Sequence, residues 1–465
     1  MNVLMFGWEF PPHISGGLGI ACHGLTEALG KEGVNVLFVV PTLKGEEKIS
    51  HGQLISASKI VVPIESGSQN IRSQGSEGLA TTVVFPGELK VIGSAEEKLT
   101  MLLVPSSLSP YHATVENIQS VEYIPWNYSF EEKYSVSRIY PSASDELSAP
   151  NEGITYRFSG SYGSDLIEEV DKYAIVAKAI SKQFAFDIIH AHDWMTFKAA
   201  IEAKRMTKKP LIVHIHATEF DRAGTKGQKE VYKLEQEGML LADRVIAVSE
   251  RTKAIVVREY EVPEEKITVV HNGISPSGNI PGKLEAPLGP HVVTFLGRIT
   301  YQKGPIYFVE AARKVLEQFP TAHFLVAGAG DLLPTMIERV AQLRMSTNFH
   351  FTGFVKKEDV EKIWALSGVY VMPSVSEPFG ITPLEAIQSG VPVIISNQAG
   401  VGEVMPHAIK IDFWDTAALA EAICSVLKYK SLSKTLKKNS SAEIKNISWK
   451  KASQKIKTLY HELTT

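Results

Sequence analysis

The chain has 465 residues, enough for roughly three domains of about 150 residues or two large ones, each with a full core. An apolar share of 44%, a charged share of 21% and a formal net charge of −3 describe an ordinary globular chain. They exclude a disordered or membrane-spanning protein and weigh against nucleic acid as a partner. Only Cys22 and Cys424 carry thiols, so neither a disulfide framework nor a thiol-based zinc knuckle can form, which fits a reducing cytoplasm. The opening MNVLMFGWEF lacks a basic leader, and no apolar run approaches the about 20 residues of a membrane span. The expected location is therefore cytoplasmic, without an integral membrane segment.

In chain order, the apolar run Val3 to Phe6 leads into the Gly/Pro-rich loop WEFPPHISGGLG, a helical stretch from Ile20 to Glu32 and a second strand, Val34 to Val40. Strand, glycine loop, helix and strand make a βαβ unit, which forces parallel pairing and an α/β fold. From about residue 45 to 163 the pattern weakens. TTVVFPG, KVIG and TMLLVP read as strands of a loop-rich insertion whose fold and role the sequence leaves open.

Regular alternation returns with a helix from Asp165 to Gln183, the strand DIIHAH, a helix from Met195 to Met206 and the strand LIVHIHA. A helix from Lys229 to Ala242, the strand RVIAVS, a helix from Glu250 to Tyr260 and the strand ITVVHNG follow. Ser275 to Pro290 is a Pro/Gly-rich joint, the usual mark of a domain boundary. Beyond it the pattern predicts five strands, each followed by a helix, the helices at Pro305 to Gln318, Leu332 to Leu343, Lys357 to Ala365 and Thr382 to Gln388 among them. These readings divide the chain into a Rossmann-like domain over 1–274, a second over 275–446, and a last helix within 447–465 that docks back on the first. Ligands of such sheets bind at the carboxyl ends of the strands, here in the cleft between two of them.

Three clusters carry chemistry. Gly16, Gly17 and Gly19 follow a strand and open a helix, so backbone amides there can approach an anion. Cys22 takes the place of the third glycine of a dinucleotide fingerprint, and no acidic residue ends the second strand, which argues against NAD. Arg298 and Lys303, in GRITYQKG, suit a diphosphate, one as a fork and the other as a point charge. In SEPFGITPLEAI, Glu377 and Glu385 flank Gly380, Ile381 and Thr382, whose amides face a helix start.

Two H-x-H pairs, His190 with His192 and His214 with His216, end successive strands with Asp193 and Glu219 nearby. Imidazoles two apart on a strand share a face, which also suits a zinc hydrolase or deacetylase. Such a metal site alone leaves Arg298, Lys303 and the two glutamates unexplained. Trp8, Trp194 and Phe220 are the aromatic candidates for stacking on a sugar near the cleft, ahead of Trp126, Tyr128 and Phe130 in the insertion.

Taken together, FPPHISGGLG, IIHAHDW, HATEFDR, GRITYQKG and SEPFGITPLEAIQSG, in this order, resemble the GT-B retaining glycosyltransferases, especially glycogen or starch synthases and their sucrose-type relatives. The resemblance implies a nucleotide-sugar donor (an ADP-, UDP- or GDP-sugar), a glucan or other sugar acceptor, and no metal or other cofactor. It implies catalytic roles for His192, Glu377, Arg298 and Lys303. It assigns Gly16, Gly17, Arg298, Lys303, Gly380, Ile381, Thr382 and Glu385 to the nucleotide sugar. The first loop departs from the Lys-x-Gly-Gly of ADP-glucose enzymes, since Ile14 and Ser15 precede Gly16 and Gly17, and an acid at Glu385 is also unlike many of them. Both departures point to the broader relatives.

Overall fold

A computed structural model describes residues 1–12, 16–45, 47–63, 90–92, 101–103, 154–160, 162–163, 165–275 and 288–465. Its strands are β1 (Asn2–Phe6), β2 (Asn35–Val40), β3 (Gln53–Ser56), β4 (Lys90–Ile92), β5 (Met101–Leu103), β6 (Ile188–His192), β7 (Leu211–Ile215), β8 (Arg244–Ala247), β9 (Ile267–Val269), β10 (Val292–Leu296), β11 (His323–Ala327), β12 (Phe349–Gly353), β13 (Val369–Met372), β14 (Val393–Ser396) and β15 (Ile409–Ile411). Short β-rich apolar runs such as NVLMF and LIVHI are buried along nearly their whole length, the pattern of strands covered on both faces.

Seven of them form a parallel sheet in the order β3-β2-β1-β6-β7-β8-β9, and six form a second in the order β12-β11-β10-β13-β14-β15. Both have the doubly wound topology, with the strand order reversing between β1 and β6 in the first and between β10 and β13 in the second. A crevice opens at the carboxyl ends of such a pair, because the crossovers on either side leave in opposite directions. The two switch points therefore mark where each lobe can hold a ligand.

Helices Pro305–Gln318, Thr382–Gln388 and Glu250–Tyr260 run over the residues that periodicity predicts. The second sheet differs in having a sixth strand, β15, and two more helices, Thr416–Lys428 and Lys430–Ile444. Of the strands predicted in the insertion, KVIG and TMLLVP contain β4 and β5, an antiparallel pair, while TTVVFPG, like Trp126, Tyr128 and Phe130, lies outside the described residues. Among the described residues no helix is long and apolar enough to cross a membrane.

The last helix, Trp449–Thr464, returns to the first lobe. Trp449, Ile456, Leu459 and Tyr460 pack with Leu25 and Leu29 of helix Gly17–Lys31 and with Val3, Val36 and Ile188 of the first sheet. This close approach needs Gly24, where a Cβ would lie 2.3 Å from the indole nitrogen of Trp449. A helix with an apolar stripe and a lysine-rich back is marginal alone and takes its stability from that seat.

Candidate active site

The site is built from strand ends. In the first lobe, Gly16 caps helix Gly17–Lys31, whose first turn is exposed at Gly17 and buried at Gly19. The amide of Gly19 donates to the buried carboxylate of Glu9 at 3.1 Å, and the Tyr162 hydroxyl donates to the other oxygen at 3.2 Å. Glu9 thus fixes the glycine turn, a role its place in WEFPP does not announce. Trp8 and Trp194 are only 2% and 1% exposed, so neither can stack on a sugar as it stands, whereas Phe220 is partly exposed.

At the end of β6 the chain turns through Asp193 with φ of 58°, an unusual conformation for a non-glycine residue. Its carboxylate accepts from the amides of His216 at 2.7 Å and Ala217 at 3.4 Å, tying the end of β6 to that of β7. Burial raises Asp193 to about 6, against the opposing pull of Arg222 and those two amides.

Three buried histidines and the partly buried His216 form one stack on the face of the sheet covered by the last helix. His190 Nδ1 meets the Tyr460 hydroxyl at 2.5 Å, and His192 Nδ1 meets His216 Nε2 at 3.0 Å. Burial and neighbouring imidazoles push His192 and His214 well below the usual value, burial and His216 take His190 to about 3, and burial takes His216 to about 3. Ligand atoms of His190, His192 and His214 lie within 4.8 Å of one another, as do those of Cys22, His192 and His216. Yet the rings of the four histidines are tilted by only 19° to 36° in each contacting pair. Near-parallel imidazoles direct their in-plane lone pairs side by side, whereas a tetrahedral ion needs them to converge. His192 itself is fully buried; of the pair it forms with His216, the latter has the exposed surface. Tyr460→Phe is expected to cost about 1–3 kcal/mol, because it strands a buried imidazole nitrogen, and denaturant unfolding measures it.

In the second lobe, Arg298 lies exposed just past β10, and Lys303 ends a short turn before helix Pro305–Gln318. The Lys303 ammonium is ion-paired with the buried Glu377 carboxylate, which also accepts from Ser374 Oγ at 3.3 Å. Glu377 is held by its backbone, donating to Gln398 O at 3.0 Å and accepting from Gly400 N at 2.9 Å. Gly380, at φ of 100°, turns the chain into helix Thr382–Gln388, with Ile381 as its cap, Pro383 in its first turn and Glu385 in that turn too. Tyr370 at the base feels both carboxylates, although burial is the larger reason its phenol is raised. A Cβ on Gly16 would come 4.0 Å from Arg298 Nε, so the glycine turn of one lobe faces the arginine of the other.

Three family models match along the chain. Residues 277–443 match Glycosyl transferases group 1, residues 134–277 match Glycosyltransferase Family 4, and residues 2–85 match the Starch synthase catalytic domain. The chain carries glycosyltransferase domains on a GT-B fold. An uncharacterized glycosyltransferase of Methanocaldococcus jannaschii is 33% identical over 238 residues, 48% of this chain and 61% of that protein. A glycogen synthase of Mycobacterium tuberculosis is 23% identical over 435 residues, 92% of this chain and 86% of that protein. Among solved structures, sucrose-phosphate synthase from Thermosynechococcus elongatus has a TM-score of 0.63 at 18% identity, covering 99% of this chain and 98% of that one. An Anabaena protein in complex with UDP-glucose has a TM-score of 0.61 at 14% identity over 100% of both chains. At these identities the structures establish the fold.

The two lobes are joined by polar contacts that sequence reasoning missed. Thr218 and Asp221 form a capping box in which Asp221 Oδ2 accepts from the Thr218 amide and hydroxyl, leaving Oδ1 to accept from Ser376 Oγ at 2.6 Å. Arg251 donates to the same Ser376 oxygen at 3.1 Å, and Ser249 Oγ donates to Pro378 O at 2.5 Å. The T-x-x-D spacing in HATEFDR signals the cap, but nothing local signals its partner. In the GAGD turn after β11, a Cβ on Gly328 would lie 1.9 Å from Gly297 O and one on Gly330 2.3 Å from Ile299 O, so both positions need glycine.

The turn carrying Lys303 depends on Gly304, which has φ of 65° and a Cβ position 2.1 Å from Pro373 O. Gly304→Ala is expected to destabilise the fold by about 1–3 kcal/mol and to lower turnover, since the displaced segment leads into Glu377. Denaturant midpoints and initial rates check both.

Proposed function

We propose that the chain is a retaining, metal-independent glycosyltransferase that moves glucose from a nucleoside diphosphate sugar to an α-glucan or a related sugar acceptor. The observation that carries this reading is the Lys303–Glu377 pair beside Arg298, at the β10/β13 switch point and across from Gly16. An incoming diphosphate competes for the Lys303 ammonium. Its arrival frees Glu377 to accept hydrogen bonds from the sugar hydroxyls, so one ion pair is exchanged for two recognition contacts.

In the reaction the bond from the anomeric carbon to the β-phosphate oxygen breaks, and its electron pair stays on the diphosphate. The acceptor hydroxyl bonds to the anomeric carbon on the same face and passes its proton to a phosphate oxygen. Arg298, Lys303 and the backbone amides at Gly380, Ile381 and Thr382 stabilise the departing charge, and Glu377 holds the sugar as positive charge develops. In this reading Glu385, in the first turn of the helix, takes the ribose hydroxyls, and His192, in contact with His216, takes the sugar side. Neither the nucleophile nor the acid of a glycosidase is required. The starch-synthase match over 2–85 and the glycogen synthase relative support glucose and glucan, and the Anabaena complex supports the donor class.

Screening ADP-, UDP- and GDP-glucose with glycogen, small sugars and lipid-linked glycans tests the reading directly. Transfer is expected from at least one donor and to persist in excess EDTA, because the cations facing the diphosphate are side chains. Loss on chelation with rescue by zinc points instead to chemistry at the histidines.

A further inference from the structure

A cavity of about 370 Å³ lies between the lobes, walled by Arg251, Arg258 and Phe220 on one side and by Asn397, Glu403 and Lys410 on the other. Neither Arg298 nor Lys303 lines it, so it is separate from the proposed diphosphate site. Its volume falls in the range of small-molecule sites, about 300–1,000 Å³.

Its wall carries three cations, Arg251, Arg258 and Lys410, and one carboxylate, Glu403. Arg251 donates one guanidinium nitrogen to Ser376, but its Nε is buried and, among the described residues, has no partner. Lys410 donates to the Gly402 carbonyl at 2.7 Å; among the described residues neither it nor Arg251 forms a direct ion pair, although Arg251 feels the carboxylates of Asp221, Glu403 and Glu377 from farther off. The one carboxylate in the wall is already engaged. Glu403 accepts from the amides of Glu250 and Arg251 at 2.9 Å each and from His271 Nε2 at 2.8 Å. Arg258 has its own partner in Glu259 and lies 5.8 Å from the centre of the Phe220 ring. Half-buried cations from two lobes facing one cavity are costly unless an anion sits between them.

We infer that this cavity binds a phosphate-class oxyanion, as inorganic phosphate or as the phosphoryl group of a sugar phosphate. The anion lies between Arg251 of one lobe and Lys410 of the other, where it completes the Arg251 Nε hydrogen bond and clamps the lobes together. A sugar attached to it meets the face of Phe220. Because Arg251 also holds Ser376, next to Glu377, occupancy bears on the loop that presents that glutamate. Binding at this cavity does not depend on the glycosyl-transfer reading.

Calorimetric titration of the whole chain at low ionic strength, with inorganic phosphate, glucose 6-phosphate and glucose, tests this. Both phosphates are expected to bind and glucose alone is not. Arg251→Gln and Lys410→Gln should each weaken phosphate binding about tenfold or more, the loss of a charge-assisted hydrogen bond, while Lys303→Gln leaves it unchanged. Lys410 is partly exposed on an edge strand, so its variant keeps the test valid if Arg251→Gln fails to fold. Tighter binding of glucose 6-phosphate that Phe220→Ala abolishes identifies a sugar-borne phosphate, and equal binding identifies the free anion; either supports the site. No saturable binding of phosphate, binding untouched in Lys410→Gln, or binding lost only in Lys303→Gln overturns it.

Discussion

Arg298→Ala and Lys303→Ala are each expected to lower turnover about 100-fold or more, the cost of removing one preorganised charge from a developing anion, roughly 3 kcal/mol. The structure separates the two in stability. Arg298 is exposed, so its loss should leave the unfolding midpoint unchanged. Lys303 is the ion-pair partner of a carboxylate on a residue only 6% exposed, so Lys303→Ala should also lower the midpoint. Adding Glu377→Gln to Lys303→Ala removes the stranded charge and should recover that stability without recovering turnover. Near-normal transfer by both soluble single variants would remove the diphosphate from this loop.

Stability is expected to fall steeply as pH drops from about 6.5 toward 4.5. His190, His192, His214 and His216 stay neutral in the folded chain, His190 and His216 with values of about 3 and the other two also depressed. In the unfolded chain each takes up a proton near the ordinary value of about 6.5. The unfolded state then binds more protons, so stability rises with pH across this window and is lost below it. Asp193 and Glu235 act in the opposite direction, because burial raises their folded values to about 6 and about 7, and they keep protons that the unfolded chain releases. Four imidazoles against these two carboxyls leave a net uptake on unfolding of at most about two protons, or about 3 kcal/mol per pH unit, which the upward shifts of Glu169, Glu230 and Glu237 reduce toward the acid end. Melting temperature followed against pH measures the slope, and His214→Leu should flatten it by about one proton. A melting temperature that stays level from pH 7 to 5 would contradict a neutral buried stack.

The sequence alone sets out the α/β class, the two runs of strand and helix, and the positions of helices such as Pro305–Gln318 and Thr382–Gln388. These are local matters: apolar periodicity, a proline in the first turn and a glycine before it act within a few residues. It also marked Arg298, Lys303, Glu377 and Glu385, because charges in glycine-flanked loops after apolar strands have few structural uses. The short strand β15, with its partly exposed Ile-Lys-Ile, was not legible, since its place at a sheet edge leaves little burial to pattern it. It is the packing of the folded chain that rests Lys303 on Glu377, brings Ser376 to Asp221 across the cleft, and sets His190 against Tyr460 from the last helix. Those partners stand 74, 155 and 270 residues apart. No local propensity records such a pairing; it arises when two sheets and a returning helix bring buried polar groups together and each must find a partner there.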